Sequence, residues 1–180
     1  PTLTQLMADQ GADVIKLEPT GDGEPNRHIG QKRDDVSVYF ANTHRGKRSL
    51  QLNLKHASGR ELAHRLITEV DVVIEAFRPG VASRLGMSYE DVAPLNQGLV
   101  YASLSAFGQS GPYLNKPAHD LETEAYAGIL RVNLGNDGKP ALPAIPTGDM
   151  LAATLGLSAV LMALLRRTET CLLYTSDAAD

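Results

Sequence analysis

Hydrophobic and polar positions along the chain follow two periods, one typical of strands and the other of helices. Short β-branched or alternating runs predict strands over residues 13–18, 49–54, 71–75 and 99–104. Apolar positions three and four apart predict helices over residues 2–11, 58–69, 79–85, 88–95, 122–130 and 149–167. Residues 19–35 combine several glycines with charges and are predicted to form a loop.

The order of these elements predicts an α/β fold. Helices between strands of this length imply right-handed β-α-β crossovers, and hence a Rossmann-like, mostly parallel sheet with flanking helices. Ligands of such sheets bind at the carboxyl ends of the strands. We therefore expect functional residues near Glu18, residues 75–77 and residues 105–108, which follow three of the predicted strands.

Two predicted helices begin with the spacing of a capping box. Ser58 is followed three residues later by Glu61, and Ser88 by Asp91. In each case we expect the serine to cap the helix, so that the two helices begin next to residues 58 and 88.

The most apolar segment is the run from residue 150 to residue 165. Asp149 precedes it and two arginines follow it, which is the charge order that suits a helix dipole. As a helix this run would be roughly 24 Å long, shorter than the ~20 residues that a bilayer span needs. We predict a helix buried in a core or at a subunit interface, and no membrane partner.

Composition and charge exclude several classes of function. The chain has 180 residues with 17 Lys and Arg against 21 Asp and Glu, a net charge of −4, so a nucleic-acid partner is not expected. Its single cysteine, Cys171, can form neither an intramolecular disulfide nor a zinc cluster. A reducing, cytoplasmic location is therefore the expectation.

Common catalytic motifs are missing, and the local patterns that remain are ambiguous. Residues 21–26 lack the third glycine of a dinucleotide fingerprint, and the sequence has no P-loop, nucleophile elbow or zinc-protease motif. Residues 45–48 form either a solvated basic loop or a phosphate-binding patch. Residues 118–120 and 148–149 each place an ionisable group at a helix start, where it either caps the helix or acts as a base or nucleophile.

Taken together, these segments resemble the class III CoA-transferases (CaiB/BaiF type), a family that includes formyl-CoA transferase and the α-methylacyl-CoA racemases. The resemblance extends over most of residues 3–170 and is carried by residues 11–18, 45–50, 71–80, 84–86, 105–112, 118–120 and 148–149. It divides the chain into a partial family domain at residues 1–170, without the family's first strand and second half, and a non-native, adapter-like tail at residues 171–180.

This resemblance implies the N-terminal part of an interlocked homodimer that acts on acyl-CoA and carboxylic acid substrates. Coenzyme A is then a substrate, and no bound cofactor or metal is expected. By position, Asp149 matches the family's catalytic aspartate. The positions that match the family's CoA site are Leu52, Lys55, Phe77, Arg84 and Leu85. Arg45 and Lys47 are additional candidates for holding the CoA phosphates.

Three functions follow as alternatives. In a CoA-transferase, Asp149 would attack the thioester and later carry CoA as an aspartyl thioester, with backbone N–H groups beside Gly148 stabilising the anionic intermediates. In a racemase, His119, 30 residues before Asp149, would form a proton-transfer pair with it. The residues around both positions favour the transferase. In the third alternative the 180-residue chain is a truncated, inactive fragment.

Overall fold

A computed structural model describes residues 1–170 and the backbone of residues 174–177. The strands are β1 (Val14–Glu18), β2 (Lys32–Arg33), β3 (Val36–Ser37), β4 (Lys47–Gln51), β5 (Val72–Glu75), β6 (Val100–Ser103) and β7 (Tyr174–Asp177). The helices are α1 (Thr2–Asp9), α2 (Val38–His44), α3 (Ala57–Ile67), α4 (Val81–Arg84), α5 (Tyr89–Val92), α6 (Asp120–Tyr126), α7 (Ile129–Val132) and α8 (Thr147–Thr170). Short 3-10 turns occupy Pro25–Arg27 and Ala93–Leu95.

The strands form two parallel sheets, which confirms the predicted α/β class. β1 pairs with β4 in one sheet, and β5, β6 and β7 lie side by side in the other. The predicted loop at residues 19–35 differs in detail, because its end contributes β2 to a small antiparallel hairpin with β3. β4 begins and ends earlier than predicted, since its pairing follows β1 from Val14 to Glu18.

The main core lies between α3 and the sheet that contains β5 and β6. Its buried side chains include Ala63, Ile67, Val92, Leu99 and Tyr101. The phenol of Tyr101 donates a hydrogen bond of 2.9 Å to the carbonyl oxygen of Met87, so its polar end is satisfied inside this core. The core therefore holds fixed the segments that follow β4 and β5.

One of the two predicted capping boxes is confirmed and the other is wrong. Ser88 and Asp91 form the box at the start of α5. α3 instead begins one residue earlier than Ser58, and His56 is its N-cap, accepting the N–H of Ser58 through Nδ1 at 3.3 Å. A neutral imidazole can accept at this nitrogen, which a search for Ser or Thr at the cap does not detect.

α8 is longer and less buried than predicted. It has 24 residues, so by length and composition alone it could cross a membrane, and the length argument against a span does not hold. One face of the helix is buried and includes Ala153, Val160 and Ala163. Gly156 lies on the same face and packs closely against α1, since a Cβ at this position would lie 2.7 Å from the side chain of Leu3. The opposite face is exposed, because the described residues supply packing partners for the small-residue stripe only. That a subunit interface covers this face stays a prediction.

The predicted tail at residues 171–180 lies mostly outside the described residues. Of this segment, only the backbone of β7 is described, and it pairs in parallel with β6. Cys171 also lies outside the described residues. The non-native origin of the tail therefore stays a prediction.

Candidate active site

The first turn of α8 packs directly against the start of α6. The backbone N–H of Asp149 donates to Oδ1 of Asp120 at 2.9 Å, and the N–H of Thr147 donates to Oε1 of Glu124 at 3.0 Å. The first amides of a helix have no acceptor within the helix, and here two carboxylates of α6 supply one each. The side chain of Asp149 is itself exposed at this corner.

Gly148 is required by the closeness of the two helices. A Cβ at this position would lie 2.5 Å from Oγ1 of Thr123 and 3.0 Å from Oδ1 of Asp120. The Thr123 hydroxyl donates to the carbonyl oxygen of Asp120 at 2.6 Å, which limits its freedom to move aside. The absence of a side chain at residue 148 therefore lets α6 approach α8.

Fewer amides are available to stabilise anions at the start of α8 than the sequence suggested. The N–H groups of Thr147 and Asp149 are engaged by Glu124 and Asp120. Within residues 1–170, the structure shows no acceptor for the N–H of Gly148, which lies between these two residues in the same turn. The expectation of several N–H donors beside Gly148 is thus reduced to one.

The surroundings of Asp149 disfavour its charged form. Although Asp149 is exposed, its neighbours remove part of the water around its carboxyl, and this partial desolvation raises the carboxyl pKa. The neighbouring carboxylate of Asp120 raises the pKa further, while His119 acts in the opposite direction. Burial, followed by the charge of Asp149, raises the pKa of Tyr39 on α2. His119, Asp120, Tyr39 and Asp149 therefore share one corner of the molecule.

His119 is the N-cap of α6, as the capping interpretation of residues 118–120 predicts. Its backbone N–H donates to the carboxylate of Glu122 at 3.0 Å, and its side chain is exposed. The next residue, Asp120, contacts the Asp149 backbone. The structure therefore brings His119 and Asp149 to the same corner, in agreement with the spacing that singled out this pair.

Most of the predicted CoA-binding residues lie after β4 and β5. Phe77 and Arg84 are exposed, while Leu52 and Leu85 are partly buried and pack against the main core. Phe77 is 41% exposed, and its backbone N–H donates to the carboxylate of Glu75 at 2.7 Å. The leucines therefore support the surface on which the other side chains are displayed.

Arg60, which the sequence did not single out, connects two parts of this surface. Its guanidinium donates to the carbonyl oxygen of Lys55 at 3.2 Å, and its Cδ lies 3.1 Å from the position of a Cβ on Gly86. The exposed Lys55 and the turn after Arg84 are therefore neighbours. Two cations on one surface can hold phosphate groups.

Arg45 and Lys47 lie in a different environment and already have partners. Arg45 makes two hydrogen bonds to Asp9, of 3.0 and 2.5 Å. Lys47 donates to the carbonyl oxygens of Pro1 and Thr43, each at 2.8 Å. Burial and the nearby Lys16 lower the pKa of Lys47 to about 8. Their partners belong to α1 and α2 or adjoin them, so binding a phosphate would require these contacts to rearrange.

A buried ion pair holds the loop that follows β1. Glu18 is 2% exposed and accepts from Arg27 at 2.7 and 2.6 Å and from Ser49 at 2.8 Å. These contacts lower the pKa of Glu18 to about 2, with the Arg27 hydrogen bonds as the main cause. The Arg27 guanidinium also lies 4.2 Å from the ring centre of Phe40. The segment expected to be a plain surface loop is thus anchored to the sheet.

Residues 1–170 bring together no group of three or more His, Cys, Asp or Glu side chains that could hold a metal ion. The carboxylates of Asp120 and Glu124 on α6 instead accept backbone amides from the first turn of α8.

Comparison with known proteins identifies the same family along the chain. The family model described as CoA-transferase family III matches residues 1–171. The chain is 43% identical over 140 residues to the acetyl-CoA:oxalate CoA-transferase of Acetobacter aceti, covering 78% of this chain and 36% of that protein. It is 39% identical over 171 residues to the succinyl-CoA–D-citramalate CoA-transferase of Chloroflexus aurantiacus, covering 94% and 42%.

Solved structures share the fold. A CaiB/BaiF family protein from Brucella suis superposes with a TM-score of 0.91 at 32% identity, covering all of this chain and 49% of that one. A hypothetical protein from Mycobacterium tuberculosis superposes with a TM-score of 0.88 at 34% identity, covering all of this chain and 51% of that one. The chain thus spans about two fifths of the length of these curated relatives and about half of these solved chains.

Proposed function

Because the chain belongs to CoA-transferase family III, we propose that its intact gene product transfers coenzyme A from an acyl-CoA thioester to a free carboxylic acid through an aspartyl-CoA intermediate on Asp149. The observation that carries this proposal is the exposed Asp149 carboxylate on a first helical turn that Asp120 and Glu124 hold in place. The names of the two relatives, which pair an acyl-CoA donor with oxalate or citramalate, agree with this substrate class.

The reaction needs no net proton transfer. A carboxylate oxygen of Asp149 attacks the thioester carbonyl, the C–S bond breaks, and the CoA thiolate leaves a mixed anhydride behind. The thiolate then attacks the aspartyl carbonyl, which releases the donor acid as a carboxylate and forms the aspartyl-CoA thioester. The acceptor carboxylate attacks this thioester to form a second anhydride, and the thiolate attacks its acyl carbonyl, which restores Asp149.

The electrostatics of Asp149 suit a nucleophile. The pKa of its carboxyl is raised by partial desolvation and by Asp120, so the carboxylate is more basic than an ordinary exposed aspartate. It acts as a nucleophile when deprotonated, so activity should fall as the pH drops through this raised pKa. The Gly148 N–H can donate to an anionic oxygen that forms next to residue 149.

Coenzyme A is proposed to lie over the carboxyl ends of β4 and β5. Lys55 and Arg84 would hold the phosphate groups of coenzyme A, and the exposed side chain of Phe77 would contact its apolar parts. Lys55→Ala is expected to raise KM for acyl-CoA and leave kcat nearly unchanged, because Lys55 would bind ground state and transition state alike. An equal loss of kcat would place Lys55 in the chemical step instead.

Racemisation at the carbon next to the thioester carbonyl is the second candidate. The observation that favours it is the position of His119, next to Asp120 and close enough for its charge to act on Asp149. Two groups that flank a substrate carbon can remove and return its proton. In this candidate His119 and Asp149 act as a base and acid pair, and no acyl group is transferred.

One experiment separates the two candidates. The intact gene product is incubated in D2O with 2-methylacyl-CoA, acetyl-CoA or succinyl-CoA and a panel of free carboxylic acids, and the products are identified by mass. New acyl-CoA species without deuterium support the transferase, while deuterium at the α-carbon without CoA exchange supports the racemase.

The role of Asp149 is tested by substitution and trapping. Asp149→Asn should abolish transfer and the hydroxylamine-trapped aspartyl adduct, because the amide is not a carboxylate nucleophile. Asp22→Asn removes the same charge from an exposed loop and serves as the matched control. Transfer at the wild-type rate in Asp149→Asn would contradict the assignment.

A further inference from the structure

Two carboxylates on α6 contact the turn that carries the proposed nucleophile without taking part in the proposed reaction. Asp120 accepts the N–H of Asp149 at 2.9 Å, and Glu124 accepts the N–H of Thr147 at 3.0 Å. Glu124 is 1% exposed, and within the described part of the chain its Oε2 has no hydrogen-bond partner. Burying such a group is costly, so its retention at this position needs a reason.

The helix terminus supplies part of the physical reason. Backbone N–H groups and the helix dipole favour negative charge at an N-terminus, so α8 stabilises both carboxylates and is held by them. Each carboxylate binds a different amide of the same turn, with Gly148 between them pressed against Thr123. The turn can therefore neither rotate nor shift along its axis without breaking one of the two hydrogen bonds.

We infer that Asp120 and Glu124 are positioning residues for the nucleophile, forming a clamp that fixes the first turn of α8 so that the Asp149 side chain keeps one orientation toward the acyl thioester. This inference rests on the proposed function. The clamp consists of the Asp120 and Glu124 carboxylates and the amides of Asp149 and Thr147.

The two members of the clamp differ in how they act on Asp149. Asp120 contacts the residue itself, and its charge contributes to the raised pKa of the Asp149 carboxyl. Glu124 holds Thr147, two residues earlier, and is not among the groups that shift this pKa. The other side chains that interact electrostatically with Asp149 are His119 and Tyr39.

This difference gives a test with separate signatures. The rate of Asp149 adduct formation from acetyl-CoA and succinyl-CoA is measured against pH in the intact gene product, with hydroxylamine trapping and mass detection. Asp120→Asn keeps an oxygen that accepts the amide but removes the charge, so the acid midpoint of the profile should move to lower pH. Glu124→Gln should keep both the midpoint and, within about threefold, the plateau rate, since its amide oxygen still accepts.

Loss of the acceptor should have a different effect. Glu124→Ala is expected to lower the plateau rate about 10- to 100-fold with the midpoint unchanged, because a displacement of about 1 Å at a reacting group has an effect of this size. Rescue by glutamine but not by alanine would show that the acceptor oxygen is what matters. Glu61→Gln on α3 removes a charge far from this turn along the chain and should match the wild type in rate and midpoint.

Three results would overturn the inference. If Asp120→Asn leaves the midpoint in place and Glu124→Ala reacts at the wild-type rate, the clamp does not position Asp149. If all variants lose rate only in proportion to their folded fraction, measured by circular dichroism, the two carboxylates are merely structural. If the wild type itself forms no Asp149 adduct with any donor, the proposed function fails and the inference with it, which distinguishes this outcome from the first two.

Discussion

The closeness of α6 and α8 leads to a prediction about Gly148. In Gly148→Ala the added Cβ would lie 2.5 Å from Thr123 Oγ1 and 3.0 Å from Asp120 Oδ1, both shorter than a normal contact. Overpacking of this kind costs about 1–3 kcal/mol. Alanine has the better helix propensity by about 1 kcal/mol, which offsets part of this cost. We expect a net loss of up to about 2 kcal/mol in the free energy of unfolding.

Thr123 supplies the control that identifies the cause. Thr123→Ala removes the hydroxyl that makes the shorter of the two contacts, so Gly148→Ala should cost much less in this background. A double-mutant cycle by urea denaturation measures this coupling, which we expect to be about 1 kcal/mol or more. Ala152→Gly, at an exposed position on α8, reports the difference in helix propensity between alanine and glycine without a steric clash.

The same variants should also change the chemistry. Gly148→Ala pushes the first turn of α8 away from α6, so the trapped Asp149 adduct should form more slowly and recover in the double mutant. Unchanged stability in Gly148→Ala together with no coupling to Thr123→Ala would refute the steric argument and the close helix contact on which it rests.

Three further predictions concern other parts of the molecule. The pKa of Glu18 is lowered to about 2, so the stabilisation from its Arg27 pair should be complete above pH 4.5 and be lost as the pH falls toward 2. In Arg27→Met the free energy of unfolding should therefore depend less on pH in this range, as measured by acid denaturation. Burial lowers the pKa of His44 to about 4, so between pH 6.5 and 4 the unfolded chain binds a proton that the folded chain does not. The free energy of unfolding should therefore fall as the pH drops through this range, and the fall should be smaller in His44→Gln. The expected homodimer would bury the exposed face of α8, on which Met162 is 68% exposed. This expectation predicts that the intact gene product is a dimer in light scattering and that Met162→Lys is a monomer with unchanged helix content; a dimer that persists in the variant would argue against this face as the interface.

Local patterns in the sequence predicted most of the fold. The β-branched runs ending at Glu18 and Glu75 are strands, and the parallel pairing expected from the intervening helices is observed. These features depend on side-chain periodicity and chain connectivity, both of which are readable along the chain. The cap of α3 at His56 was missed because a neutral imidazole acceptor follows no short sequence rule.

The candidate site was predictable only in part. Asp149 and His119 were identified from their resemblance to family motifs, and the structure brings them to one corner. The proximity of Tyr39 to Asp149 was not predicted, because it depends on how distant parts of the chain pack together. Arg45 and Lys47 resembled a phosphate-binding patch because basic residues cluster at this point of the sequence. In the structure Arg45 binds Asp9 on α1 and Lys47 binds the carbonyl oxygen of Thr43 on α2, and no local sequence pattern predicts these partners.

The sequence by itself determined the α/β class, the order of the elements and the positions whose residue types can carry the chemistry, because each depends on neighbouring residues. Only the tertiary structure decided which partners those positions have. Asp120 and Glu124 read as ordinary acidic residues at a helix start, yet they accept amides from residues 29 and 23 positions away. Such contacts depend on the packing of two helices, and an acidic side chain satisfies its hydrogen bonds with whatever donor that packing brings within 3 Å.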